Sequence, residues 1–201
     1  MRRPILILFA HPALQKSRVN LFLMKTVQAL EGVTFHDLYQ VYPDFHIDVE
    51  HEKHLLRRHE IIVFQYPLLW YSTPALLKEW QDLVLEHGWA YGRDGNALRG
   101  KKYLSVLTTG AIESSYSRRG EYRFSIRELL APIQQTANLC GMDYLPPFVI
   151  HGTHQMSDEA IKAHAGDYRR TLEALRDGRV DLDRVRSYQR LNTDLDAILK
   201  N

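Results

Sequence analysis

Two kinds of apolar pattern alternate along this chain. Short, continuous, β-branched runs such as Ile5-Leu6-Ile7-Leu8 and Ile61-Ile62-Val63-Phe64 are apolar on both faces, as strands inside a parallel sheet are. Between them lie longer stretches whose apolar residues recur every three to four positions, the period of a half-buried helix. Residues 4–10 read as a first strand. Residues 18–30 form a helix through Leu21, Met24, Val27 and Leu30, broken at Gly32. A second strand covers 33–38, an aromatic loop 39–45, a helix 48–59 and a third strand 61–65. Thr73 and Pro74 read as the N-cap and first position of the next helix, which carries Leu76, Trp80, Leu83 and His87 at helical spacing, with Leu77 and Val84 beside them. Turn formers fill residues 87–100. A fourth strand over 102–109 ends at Gly110, and a loop over 111–123 leads into a helix reaching Cys140. A fifth strand spans 144–151 and a last long helix 157–176.

Strict strand–helix alternation implies right-handed βαβ units and a parallel sheet covered on both faces. Five such strands predict a flavodoxin-like three-layer sandwich with the sheet in the order 2-1-3-4-5. Residues 1–177 then make one domain. Residues 178–201 form a helical tail with apolar positions at Val185, Tyr188, Leu191, Leu195 and Leu199. The tail lies across the domain, against a partner subunit, or frays at the surface; the pattern leaves all three open.

Composition narrows the function classes. A length of 201 residues supports one substantial core. The net charge of +2, without any long block of one sign, gives no footprint for nucleic acid. The single cysteine, Cys140, excludes an intrachain disulfide and fits a reducing cytosolic setting. The apolar N-terminal run stops after a few residues at Ala10, too short for a signal peptide core or a membrane span.

The chemistry gathers at the carboxyl ends of strands one, three and four, where open α/β sheets bind ligands. After strand one, Ser17 opens a helix with Asn20 three residues on. The free N–H groups and dipole there suit an anion, with His11 or Arg18 adding a positive charge, although an ordinary Ser cap has the same sequence. After strand three, Pro67, Leu68, Leu69, Trp70 and Tyr71 form an aromatic connector suited to a flat ligand. After strand four, Thr108, Thr109 and Gly110 place backbone N–H groups where a ligand can approach closely. A phosphate site, a planar wall and a polar turn on adjacent strands together suit flavin mononucleotide.

Several segments now carry a family likeness: AHP at 10–12, SRVN at 17–20, DLYQVYPDFHID at 37–48, QYPLLWYSTPALLKEW at 65–80, HGWAYG at 87–92, LRGKK at 98–102 and TTGAIESSY at 108–116. In these the chain resembles the NAD(P)H:quinone oxidoreductase (DT-diaphorase-like) flavoproteins, and within them the ancillary proteins of glutathione-regulated potassium-efflux systems. The resemblance implies that His11 and Ser17, Arg18, Val19 and Asn20 bind the flavin phosphate. It implies that Leu68 to Tyr71 lie along the isoalloxazine, and that Thr108, Thr109, Gly110 and Ala111 serve its pyrimidine edge. It further implies FMN, with FAD as the alternative, NADH or NADPH as donor, a quinone or other electrophile as acceptor, and a homodimer. The location it implies is the cytoplasm, at the inner membrane where a potassium-efflux antiporter is the partner.

Two positions depart from the family pattern. Ala111 stands where a second glycine is common. Tyr116 matches a proton-handling tyrosine, but Tyr122 stands where the companion histidine is expected. A phenol with a pKa near ~10 exchanges protons poorly at neutral pH. Two readings follow, an NAD(P)H oxidoreductase and a flavin-binding regulatory subunit of an antiporter. Other motifs point less far. GNALRGKK at 95–102 has Lys102 where a nucleotide P-loop needs Ser or Thr, and it precedes a strand. His46, His51, His54 and His59 lack a companion motif that would fix a metal geometry, and Cys140 reads as inert core.

Overall fold

A computed structural model describes residues 2–200. The strands are β1 (Ile5–Phe9), β2 (Val33–Asp37), β3 (Ile61–Pro67), β4 (Lys102–Thr108), β5 (Asp143–Tyr144) and β6 (Phe148–Ile150). The helices are α1 (Arg18–Val27), α2 (Leu38–Val41), α3 (Val49–Arg58), α4 (Ala75–Val84), α5 (Ile126–Leu129), α6 (Ala131–Leu139), α7 (Asp158–Arg176), α8 (Leu182–Val185) and α9 (Leu195–Ile198). The sheet runs β2-β1-β3-β4-β5, with β6 also on β4, and every pairing is parallel. This is the flavodoxin-like order expected from the alternation.

The continuous apolar runs split by parity. Ile5, Ile7, Phe9, Ile61 and Val63 face a core shared with α1, α7 and the C-terminal segment. Leu6, Leu8, Ile62, Phe64 and Tyr66 face a second core with α3, α4 and α6. Both faces are thus dry, which is why these strands show no polar alternation.

Five elements differ from the sequence reading, each for a local reason. The fifth strand is two pieces, because Pro146 and Pro147 supply no N–H to a ladder. The helix before Cys140 is also two pieces, α5 and α6: Pro132 has no N–H to donate back to Glu128, so the ladder breaks at Leu130 and restarts with the proline in the first turn of α6. The aromatic loop contains α2, nucleated by the Asp37 carboxylate, which accepts from the N–H groups of Tyr39 and Gln40. Pro74, not Thr73, is the N-cap of α4, which ends at Val84 before His87; Gln81 is buried and Leu83 is exposed. The tail is two short helices and a tight turn rather than one helix. Its Val180, Val185, Leu191, Leu195 and Ile198 are nevertheless buried in the α1–α7 core. Asn192 completes the sheet edge: its side-chain amide accepts from Val149 N at 3.0 Å and donates to Val149 O at 2.9 Å. No helix among the described residues is long and apolar enough to cross a membrane.

Candidate active site

The carboxyl ends of β1, β3 and β4 open into a cleft of about 400 Å³. Its walls include His11, Ser17, Arg18, Val19, Asn20, Pro67, Leu68, Leu69, Thr108 and Gly110. A second cleft of about 340 Å³ is lined by Leu68, Trp70, Tyr71, Gly110, Ala111, Tyr116 and Tyr122. The two share Leu68, Gly110 and His154, so they form one elongated groove. Of the residues named from sequence, Thr109 alone lines neither part; it is buried directly behind the wall.

The anion end is built by the start of α1. The Ser17 hydroxyl caps the helix by accepting from Asn20 N at 3.3 Å. The Asn20 side chain donates to Ser17 Oγ at 3.0 Å and to Thr108 Oγ1 at 3.1 Å, joining helix to strand. His11 Nδ1 accepts from Ala13 N at 3.1 Å, so the proton of the neutral ring is on Nε2. Burial lowers the His11 pKa and favours that neutral form. Arg18 is ion-paired with Asp158 on α7, so its charge is partly compensated. Lys16 also lines the groove and is a cation that the sequence reading left out.

The aromatic wall is strained. Trp70 and Tyr71 have φ of 47° and 63°, in the left-handed region. They close a two-residue hairpin in which Leu69 and Ser72 exchange both backbone hydrogen bonds, at 3.0 and 2.9 Å. Asn-Gly is the usual choice for such a turn; two bulky residues there cost stability and mark a site held for another purpose. Trp70 is 93% exposed, so its indole is not part of the core.

The polar turn has a different reason for its glycine. Neither Gly110 nor Ala111 has a positive φ, so Ala111 replaces a glycine without strain. Gly110 is required for space, because a Cβ there would sit 2.3 Å from His154 Nε2. His154 and Thr153 belong to the short turn after β6 and were missed from sequence. The signal was available: His151-Gly-Thr-His154 follows the fifth strand, at the same sheet end as the other three loops.

Three phenols gather over the outer groove. Tyr122 lies 5.5 Å from Tyr71 and 5.0 Å from Tyr116 between ring centroids. Burial raises the Tyr116 pKa, with Tyr122 and Tyr71 adding to it and the Thr109 hydroxyl opposing. Desolvation, Glu121 and Tyr71 raise that of Tyr122. Both phenols keep their protons at neutral pH.

The donor set fits a flavin mononucleotide. Asn20 is 3% exposed, and its Oδ1 is buried without a partner while both amide protons are engaged, leaving an acceptor for a ligand hydroxyl. Beside it are a helix N-terminus with no acidic residue in its first turn, an imidazole N–H and a glycine wall. Of the other candidates from sequence, His46, His51 and His54 are exposed, and His59, Cys140 and Lys102 have structural places. His59 is held by Thr34 Oγ1 and Leu55 O, both at 2.7 Å, and no metal-binding cluster occurs among the described residues. Burial pushes the Cys140 thiol up to about 11, and Lys102 opens β4.

A family model for the flavodoxin-like fold (Flavodoxin_2) matches residues 3–172. The chain belongs to this family. It is 48% identical over 164 residues to the glutathione-regulated potassium-efflux system ancillary protein KefG of Serratia proteamaculans, covering 82% of this chain and 90% of that one. It is 50% identical over 160 residues to the uncharacterized NAD(P)H oxidoreductase YrkL of Bacillus subtilis, covering 80% and 92%. Among solved structures, general stress protein 14 of Treponema denticola in complex with FMN superposes with a TM-score of 0.82 at 39% identity, covering 86% of this chain and 99% of that one. An NADPH-quinone reductase from P. pentosaceus superposes at 0.77 with 32% identity, covering 84% and 97%.

Proposed function

We propose that this protein is an FMN-dependent NAD(P)H oxidoreductase that reduces a quinone or similar electrophile and works as a homodimer. The observation that carries the reading is the single groove joining an anion site, an aromatic wall and a polar turn. When bound, FMN would supply hydride transfer from a nicotinamide to an acceptor, a quinone taking up that hydride and one proton to become a hydroquinone. The chain's part is to bind and orient. His11 Nε2–H, Lys16 and the α1 N-terminus would hold the phosphate, and Asn20 Oδ1 would accept from the ribityl chain. Leu68, Trp70 and Tyr71, which line the outer groove, would hold the flavin ring, and the Thr108–Ala111 turn would serve its polar edge. Tyr116 and Tyr122, both protonated at neutral pH, donate hydrogen bonds to an acceptor carbonyl. Leu69, Trp70, Tyr71, Phe45, Ile112 and Phe124 are exposed, and a second copy would cover such apolar surface. Reconstitution with FMN, then anaerobic bleaching by NADH or NADPH and recovery on adding a quinone, tests the reading. A protein that binds FMN but is not reduced by either nicotinamide would sink it. Light scattering giving a monomer would remove the dimer.

A second reading is favoured by the KefG relatives: a flavin-binding regulatory subunit that docks on a potassium-efflux antiporter at the cytoplasmic face of the inner membrane. Co-purification with such a transporter, lost on washing out FMN, would favour it. Both readings need the same groove.

A further inference from the structure

The turn that closes the flavin groove is pinned from behind by a ring outside it. Thr109 Oγ1 lies 2.9 Å from the Ala111 carbonyl oxygen and 3.0 Å from His151 Nδ1. A hydroxyl has one proton, and a carbonyl has none to give, so the Thr109 proton goes to Ala111 O. The bond to His151 can then run only one way, with Nδ1–H donating to Thr109 Oγ1. Ala111 O also accepts from Gly152 N at 2.9 Å, which fills its second lone pair. At the other end of the turn, Thr109 N donates to Ile150 O at 2.9 Å, and Thr109 O accepts from Thr153 N and Thr153 Oγ1, each at 3.1 Å. Residues 109–111 are therefore tied at both ends to the segment after β6. The amides of Gly110 and Ala111, between the ties, have no backbone partner among the described residues.

We propose that His151 is a positioning residue for the flavin's polar edge: its Nδ1–H fixes the Thr109 hydroxyl, and through it the Gly110–Ala111 turn. This rests on the flavin reading above. His151 also stands 5.5 Å from the Tyr116 ring between centroids, so it supports the floor under that phenol. Burial, Arg190 and His164 push its pKa down to about 4, against Glu113, so the ring is neutral at working pH and one tautomer suffices. Arg190 and Glu113, which face it from the tail and the outer loop, pair with each other at 2.7 Å.

The test measures FMN affinity by fluorescence quenching on folded variants, with circular dichroism as the folding check. His151→Leu and Thr109→Val should each raise the Kd about 10-fold, near 1.4 kcal/mol. The double variant should be no worse than either single one, because both break the same tie. His151→Asn, which keeps a donor near Nδ1, should restore most of the affinity. Nitrogen NMR of the unaltered protein at neutral pH should show the proton on Nδ1. Unchanged affinity in both single variants, additive losses, or a proton on Nε2 would each overturn the proposal. Failure of the unaltered protein to take up FMN would instead overturn the flavin reading.

Discussion

Asn20 on α1 donates to the Thr108 hydroxyl at the end of β4 across 3.1 Å, a bond that spans 88 residues of sequence. It ties the anion end of the groove to the polar turn and leaves Asn20 Oδ1 free to accept. Asn20→Ala removes two side-chain donors and that acceptor. FMN affinity should fall ~10- to 100-fold, from one to two lost hydrogen bonds at ~1–1.5 kcal/mol each. A fluorescence titration checks it; an unchanged Kd would place the cofactor elsewhere.

The hairpin at Trp70 and Tyr71 makes the opposite trade. Two left-handed, bulky residues cost roughly 1–2 kcal/mol each relative to residues suited to the turn. Replacing the pair by Asn-Gly should raise the unfolding free energy of the apoprotein in a urea titration by roughly 2–4 kcal/mol, while weakening FMN binding. A variant that gains no stability would show that the turn is not strained. One that binds FMN as before would show that the aromatic wall is dispensable.

Much of this was legible because strands declare themselves by continuous apolar runs, and parallel order places their carboxyl ends together. Ser17, Asn20, Thr108 and Gly110 were found by position alone. What was not legible depended on distant partners. Lys16 and His154 enter the groove from loops whose direction the sequence does not state. The glycine at 110 is set by a ring 44 residues away in the chain, not by its own φ. Pro146-Pro147, by contrast, was a local signal for a split strand that the apolar run concealed.

Glu52 is fully buried yet ionised. Burial alone would raise its pKa, but His36, Tyr42 and Trp80 outweigh this and hold the carboxyl below the usual carboxylate range. His36 Nε2 and Tyr42 OH meet Oε1 at 2.7 and 2.6 Å, and Trp80 Nε1 donates to Oε2 at 2.8 Å. Glu52→Ala strands all three partners and should cost about 3–5 kcal/mol in a urea titration. Because the folded pKa is depressed, the carboxylate's stabilisation is present above the unfolded value and is lost as pH falls through the folded one.

His151 adds a second acid-sensitive component with its own window. Its folded pKa of about 4 lies below the ordinary histidine value, so the unfolded chain binds the extra proton between those limits. Stability therefore falls as pH drops from ~6.5 toward ~4, by no more than ~3 kcal/mol and less for a ring with some solvent contact. Melting curves at several pH values should show this slope in the unaltered protein and a shallower one in His151→Asn. Parallel slopes would show that the ring titrates normally.

The outer loop offers a test that separates the two readings. Tyr122 packs 5.0 Å from Tyr116 and occupies the position where a proton-handling imidazole would be expected. Its phenol, with a raised pKa, can donate a hydrogen bond but exchanges protons slowly at neutral pH. Tyr122→His should raise quinone turnover and introduce a pH dependence near ~6.5. Tyr116→Phe removes only a hydroxyl, so FMN stays bound while turnover falls; a ten-fold loss equals about 1.4 kcal/mol of transition-state stabilisation. Steady-state kinetics on both variants, with FMN content measured alongside, separates the two readings. If neither variant changes turnover, the phenols do not face a reacting quinone. The groove then serves as a flavin-responsive docking device, and the regulatory reading takes precedence.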